Sequence, residues 1–86
     1  MAETYELIKP IMSLPKEKDT EAAYHFEVNI LSWYGKEPRL DIRKWKDDRK
    51  TGKGASLALK EALEIFRNAE EIIKTIEEVQ EHVNKD

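Results

Sequence analysis

Between Trp33 and Leu57 the chain reads Trp-Tyr-Gly-Lys-Glu-Pro-Arg-Leu-Asp-Ile-Arg-Lys-Trp-Lys-Asp-Asp-Arg-Lys-Thr-Gly-Lys-Gly-Ala-Ser-Leu, and this stretch holds both tryptophans and most of the basic charge. Flat aromatics among guanidinium and ammonium groups suit a surface that stacks unpaired nucleobases and holds phosphates. Leu40 and Ile42 alternate with Arg39, Asp41 and Arg43, the period of a strand with one buried and one exposed face. Trp45 falls on the cationic side of that strand and is expected to be an exposed stacking platform, with Trp33 and Tyr34 beside it. Arg39, Arg43, Lys44, Lys46, Lys50 and Lys53 are the candidate phosphate ligands, and Lys36 joins them from the preceding turn. Asp41, between two arginines, is expected to orient them through ion pairs, because a carboxylate repels phosphate. Lys44 shares the Leu40 and Ile42 side, so it reaches solvent only where the strand twists or ends.

The formal net charge of -3 conceals a segregation along the chain. From Lys36 to Lys53 there are eight basic residues against four acidic ones, whereas residues 1–35 sum to -3 and residues 54–86 to -4. Positive charge confined to the middle of an acidic chain marks a local site.

Other chemistries find less support. Thr51-Gly52-Lys53-Gly54 lacks the length of a nucleotide-binding phosphate loop and leads into a strand, so its glycines read as turn residues that tolerate positive φ. His25 and His82 lie far apart without a ligand cluster, so no metal site or cofactor is expected. No Ser, His and Asp set stands out, and the carboxylates near the C-terminus read as a solvated helical face. The expectation is a protein that is not an enzyme and has no small-molecule substrate.

Several elements must position the basic stretch. With 86 residues the chain makes one domain with a small margin of stability, for which dimerisation is a common remedy. Residues 5–14 suit a first strand in which Pro10 demands an edge or a bulge. Pro15 and the charged run from Lys16 to Glu21 read as a solvated loop. From Tyr24 to Trp33 alternation predicts a strand with Tyr24, Phe26, Val28 and Ile30 in the core and His25, Glu27, Asn29, Leu31 and Trp33 opposite. A turn at Gly35, Lys36, Glu37 and Pro38 leads to the Leu40 strand, and a polar turn from Asp47 to Gly52 leads to a short strand over Gly54 to Leu57. Then Leu59, Ala62, Leu63, Phe66, Ala69, Ile73, Ile76, Val79 and Val83 recur at intervals of three and four, predicting one long, unbroken amphipathic helix. Glu70 with Lys74 and Glu81 with Lys85 would form i,i+4 pairs on its wet side. About 25 helical residues would span roughly 37 Å. That exceeds what four short strands can cover, so part of the helix is expected to pack on a second subunit.

The run from Asp41-Ile42-Arg43-Lys44-Trp45 through a polar turn to Gly52-Lys53-Gly54-Ala55-Ser56-Leu57, followed by a long helix, resembles the C-terminal domain family of transcriptional positive cofactor 4, especially its compact bacterial branch. The likeness covers roughly Tyr5 to Ile76. It implies an α+β fold in which a four-stranded curved antiparallel sheet precedes one long C-terminal helix, assembled as a homodimer whose helices help join the subunits. It also implies binding of single-stranded DNA with little sequence preference, in transcription regulation, replication or repair, with Arg43, Trp45 and Lys53 facing the strand and Trp33 in an aromatic position before the hairpin. The dimer interface would then include Phe66, Ile73, Ile76 and Val79. Two departures stand out: Ala55 replaces a larger aliphatic, which would loosen the core locally, and the acidic helix continues past Ile76 without a role the family supplies.

The same helical stripe supports a rival reading, a protein-interaction module that docks a partner helix. Stacking and phosphate contacts do not distinguish DNA from RNA. The absence of cysteine argues against a disulfide framework, and no run of about 18 apolar residues occurs, so a cytoplasmic or nucleoid-associated location is the expectation.

Overall fold

The computed structural model describes residues 4–16 and 23–84. Four strands, β1 (Tyr5–Ser13), β2 (His25–Trp33), β3 (Arg39–Trp45) and β4 (Thr51–Ala58), pair antiparallel in sequence order as one open sheet, followed by helices α1 (Leu59–Arg67) and α2 (Ala69–Asn84). The architecture is α+β, with four antiparallel strands ahead of the helical segment as the periodicities predict. β1 is an edge strand with register shifts between Leu7 and Lys9 and between Pro10 and Met12, which answers the proline's missing donor with both devices available to it. Most of the charged run after Pro15 lies outside the described residues.

Between β2 and β3 the chain turns through Tyr34 and Gly35, both at positive φ (52° and 71°), with the Lys36 N–H donating to the Trp33 carbonyl at 3.0 Å. Two consecutive residues at positive φ match the right-handed twist of the flanking strands. Gly52, expected in the turn, lies inside β4 together with Gly54, and neither has the positive φ that the turn reading allowed them. Gly54 is needed for closeness: a Cβ there would fall 2.0 Å from Arg43 Cβ.

The helical segment is broken at Asn68, against the expectation of one continuous helix. The Asn68 N–H donates to the Ile65 carbonyl at 3.0 Å, a bond one residue short of the α-helical span, and its Nδ2 donates to the Glu64 carbonyl at 2.8 Å. A short polar side chain that competes for its own helix's carbonyls ends one helix and starts the next. At the start of α1, Glu61 accepts from the Ala58 N–H at 3.0 Å. Among the described residues the two helices hold one ion pair, Arg67 with Glu64; Glu70 and Lys74 do not pair, and Lys85 lies outside the described residues.

α1 touches β3 and β4, burying Ala62, while α2 touches only α1. Part of the sheet's apolar face is therefore left open, and Phe26, expected in the core, is 38% exposed. Met12, Leu14, Phe26, Val28 and Ile42 line an open apolar cleft there. Ala55 is exposed, so its small size loosens no core within the subunit. The radius of gyration is 15.5 Å, against about 12 Å for a compact chain of this length. The accessible surface is 7211 Å², against roughly 5,300 Å² for a folded monomer of this mass.

Candidate nucleic-acid interface

Register fixes which side chains meet. His25 faces Trp45, Glu27 faces Arg43, Asn29 faces Asp41 and Leu31 faces Arg39, so these residues share one side of the sheet with Trp33. Phe26 opposite Lys44, Val28 opposite Ile42 and Ile30 opposite Leu40 form the other. The division into faces is the one alternation predicts, but its solvation is not. On the cationic face Trp45 is 0% exposed and Leu31 1%, so Trp45 is no open stacking platform in this conformation.

Trp45 is covered by residues from both chain directions. Tyr5 of β1 meets it edge-on at 5.2 Å between ring centroids and lies 5.7 Å from Trp33. Arg49 comes over it from the β3–β4 turn, its guanidinium carbon 4.3 Å from the ring centroid. That reach uses a non-glycine residue at φ 67°, with its N–H bonded to the Lys46 carbonyl at 2.9 Å. Such strain persists where surrounding contacts over-determine it. Here the contact is a two-pronged pair with Glu27, Nη1 to Oε2 at 2.9 Å and Nη2 to Oε1 at 3.1 Å. Asn29 Nδ2 donates to Glu27 Oε1 at 3.1 Å, and His25 Nε2 lies 2.7 Å from Oε2. The Arg49 hydrogen bonds, opposed by burial and helped by Asn29 and His25, hold the Glu27 carboxyl down at about 2 from an ordinary 4.5. The same pair raises Arg49. His25 Nδ1 and Trp45 Nε1 are buried without a hydrogen-bond partner.

A second network surrounds Asp41, which is 0% exposed. Its Oδ1 accepts from Arg43 Nε at 2.7 Å and its Oδ2 from Trp33 Nε1 at 3.2 Å, while the Arg43 guanidinium sits 4.8 Å over the Trp33 ring. The expected orienting role of Asp41 holds for Arg43. Arg39 turns instead to Ser56, with Nε to Oγ and Nη2 to the carbonyl, both 3.0 Å. All three arginines of this face are thus held by acceptors within the chain, with unused nitrogens left on Arg43 and Arg39.

The lysines behave differently. Lys36, Lys44, Lys46, Lys50 and Lys53 form no ion pair among the described residues. Lys44 lies on the apolar side, as alternation requires, with its ammonium 5.3 Å over the Phe26 ring, and Lys46 sits 5.0 Å over the Tyr24 ring. Tyr34 is 71% exposed at the hairpin tip, and Trp33 is half-buried beneath Arg43.

Sequence reasoning brought Trp33, Tyr34, Arg39, Arg43, Lys44, Trp45, Lys46 and Lys53 onto one sheet and its rim, but it missed the closing roles of Tyr5, Glu27 and Arg49. One signal was present: Glu27, like Asp41, is an acid on the face that carries the arginines, and such a residue needs a cation nearby. Among the described residues no group of three or more His, Asp or Glu side chains could hold a metal ion, and no helix is long and apolar enough to cross a membrane.

No protein-family model matches the chain, and no curated protein matches it.

Proposed function

We propose that this protein binds single-stranded nucleic acid without reading its sequence, as the likeness of its central motif to the positive cofactor 4 family implies, and that it works as a homodimer. The observation that carries the reading is the contrast between paired arginines and unpaired lysines around exposed or half-exposed rings. Trp33 and Tyr34 supply stacking surface, Arg43 and Arg39 present fixed forks, and Lys36, Lys50 and Lys53 supply ammonium groups that form no ion pair among the described residues. A surface of aromatic faces and free cations suits a ligand with exposed bases and one charge per nucleotide, and duplex DNA offers no free base face. Trp45 serves beneath this surface as the support that keeps β2 and β3 in place.

The dimer rests on area. The excess over a compact monomer is roughly 1,900 Å² per chain, within the range that one subunit of an obligate homodimer covers. α2 carries Ile72, Ile73, Ile76 and Val79 exposed along its length, with α1 the only described element it touches, and the apolar cleft on the sheet is also open. Phe66, also exposed, continues the stripe on α1. The same free face favours the second reading, docking of a helix from a different protein.

The test is a titration against a fluorescent single strand of about 16 nucleotides, beside the same sequence as duplex and as RNA, at low and moderate salt. Salt-sensitive binding to the single strand with weak binding to duplex is the expected result. No binding at low salt would refute the reading and leave protein docking through α2 in its place.

A further inference from the structure

We propose a second base-stacking site on the opposite side of the sheet, at its far end, built on the Tyr24 ring with Lys44 and Lys46 as its phosphate ligands. The inference rests on the single-strand reading above and extends it to residues that periodicity assigns to the core. Tyr24, which immediately precedes β2, is exposed, and the Lys46 ammonium sits 5.0 Å over its ring. The Tyr24 ring is backed by β4: a Cβ on Gly52 would meet its Cε1 at 3.1 Å, its Cδ1 at 3.3 Å and Lys44 Cβ at 3.2 Å, so the ring packs against main chain that glycine leaves bare. A ring backed by main chain and capped by a flexible ammonium is ready for exchange. An incoming base takes the lysine's place on the ring, and the lysine, on its four-carbon stem, moves to the adjoining phosphate.

The contrast with the cationic face strengthens the assignment. There Trp45 is sealed under Arg49, and Arg49 is held by both oxygens of Glu27. At Tyr24 neither lysine has an ion pair among the described residues, so no carboxylate must be displaced before a phosphate can bind. Tyr24 and Tyr34 flank the nine residues of β2, about 30 Å apart along the strand. A ligand engaging both ends must be long, and one engaging a single end need not be.

The experiment uses the full chain and fluorescein-labelled oligothymidylates of about 8 and about 16 nucleotides, within the range of one single-strand module. Tyr24→Leu keeps apolar bulk over Gly52 but removes the stacking ring, and Lys46→Gln removes the charge with the ring intact. Tyr24→Leu is expected to weaken binding of the longer strand roughly 5- to 140-fold, one stacked base, and to erase most of the advantage of the longer strand over the shorter. Lys46→Gln is expected to reduce the log-log salt slope by about 0.7. Should Tyr24→Leu fail to fold by circular dichroism, the Lys46→Gln salt slope decides alone. Wild-type affinity, length dependence and salt slope in the folded variants would overturn this site and leave the general reading intact. Failure of the wild-type protein to bind either strand would overturn both.

Discussion

Trp45→Ala separates a support from a platform. Were Trp45 an open stacking surface, its removal would abolish ligand binding and leave stability nearly unchanged. The structure predicts the reverse order of effects. A tryptophan with 0% exposure replaced by alanine costs about 3–5 kcal/mol in transfer and cavity terms. Losing the Arg49 contact at 4.3 Å adds about 0.5–1 kcal/mol, since that guanidinium is partly solvated. A domain of 86 residues has about 4–13 kcal/mol in total, and its unfolding entropy of roughly 0.18 kcal/mol/K turns a loss of 3–5 kcal/mol into a fall in Tm of about 17–28 °C. Trp45→Phe should be far milder, because the indole N–H is buried without a partner and its removal leaves no acceptor stranded. Thermal and urea melts followed by circular dichroism read both variants. A Trp45→Ala protein melting within about 3 °C of wild type, a loss under about 1 kcal/mol, would refute the buried arrangement of the cationic face.

Acid should loosen the same face. Glu27 has its carboxyl depressed to about 2 from 4.5, so its contribution is complete above the unfolded pKa near 4.5 and is lost as pH falls toward 2. The full shift corresponds to about 3 kcal/mol, reduced to about 1–2 kcal/mol by solvent screening of the exposed Arg49. Glu27→Gln should therefore be less stable than wild type at pH 7 and should converge on it near pH 2; an unchanged gap in urea melts across that range would contradict the pairing. Ile73→Asp, on the free face of α2, should convert a dimer to a folded monomer in sedimentation equilibrium at micromolar concentration, and a wild-type protein already monomeric there would remove the dimer.

The elements that sequence periodicity located are those whose partners are local. β2 and β3 alternate with period two, and their register follows from a short hairpin, so which residues share a face was legible before any coordinates. Which face closes was not. Alternation tells that Phe26 and Trp45 lie on opposite sides, but closure depends on what arrives from elsewhere in the chain: Tyr5 from the first strand and Arg49 from a turn at φ 67°. An arginine in a polar turn carries no mark in the sequence that it will cross over a tryptophan. The break at Asn68 was similarly hidden, because asparagine is tolerated in a helix and ends it here only by bonding Glu64 and Ile65 carbonyls. The glycines of β4 misled for a related reason. Gly52 and Gly54 serve close approach to Tyr24 and Arg43, a property of neighbours in space, whereas the turn reading considered only their own φ.

The two faces of the sheet obey different laws of mass action. The cationic face is closed within one chain by Arg49 on Trp45 and Glu27, so damage there lowers Tm equally at every protein concentration. Among the described residues the apolar face is covered only in part, by α1, and α2 touches α1 alone, so any partner that closes them adds a stability that rises with its concentration. A tenfold dilution weakens that second term by about 1.4 kcal/mol of association free energy and leaves the first untouched. Under the proposed dimer the Tm of the wild type should therefore fall on dilution, that of Trp45→Ala should fall in parallel from a lower start, and Ile73→Asp should show no dependence on concentration. Parallel lines for the first two with a flat line for the third assign each face to its own source of closure. A flat line for wild type would mean that the apolar face contributes nothing through self-association, and α2 would then be a surface for a different protein.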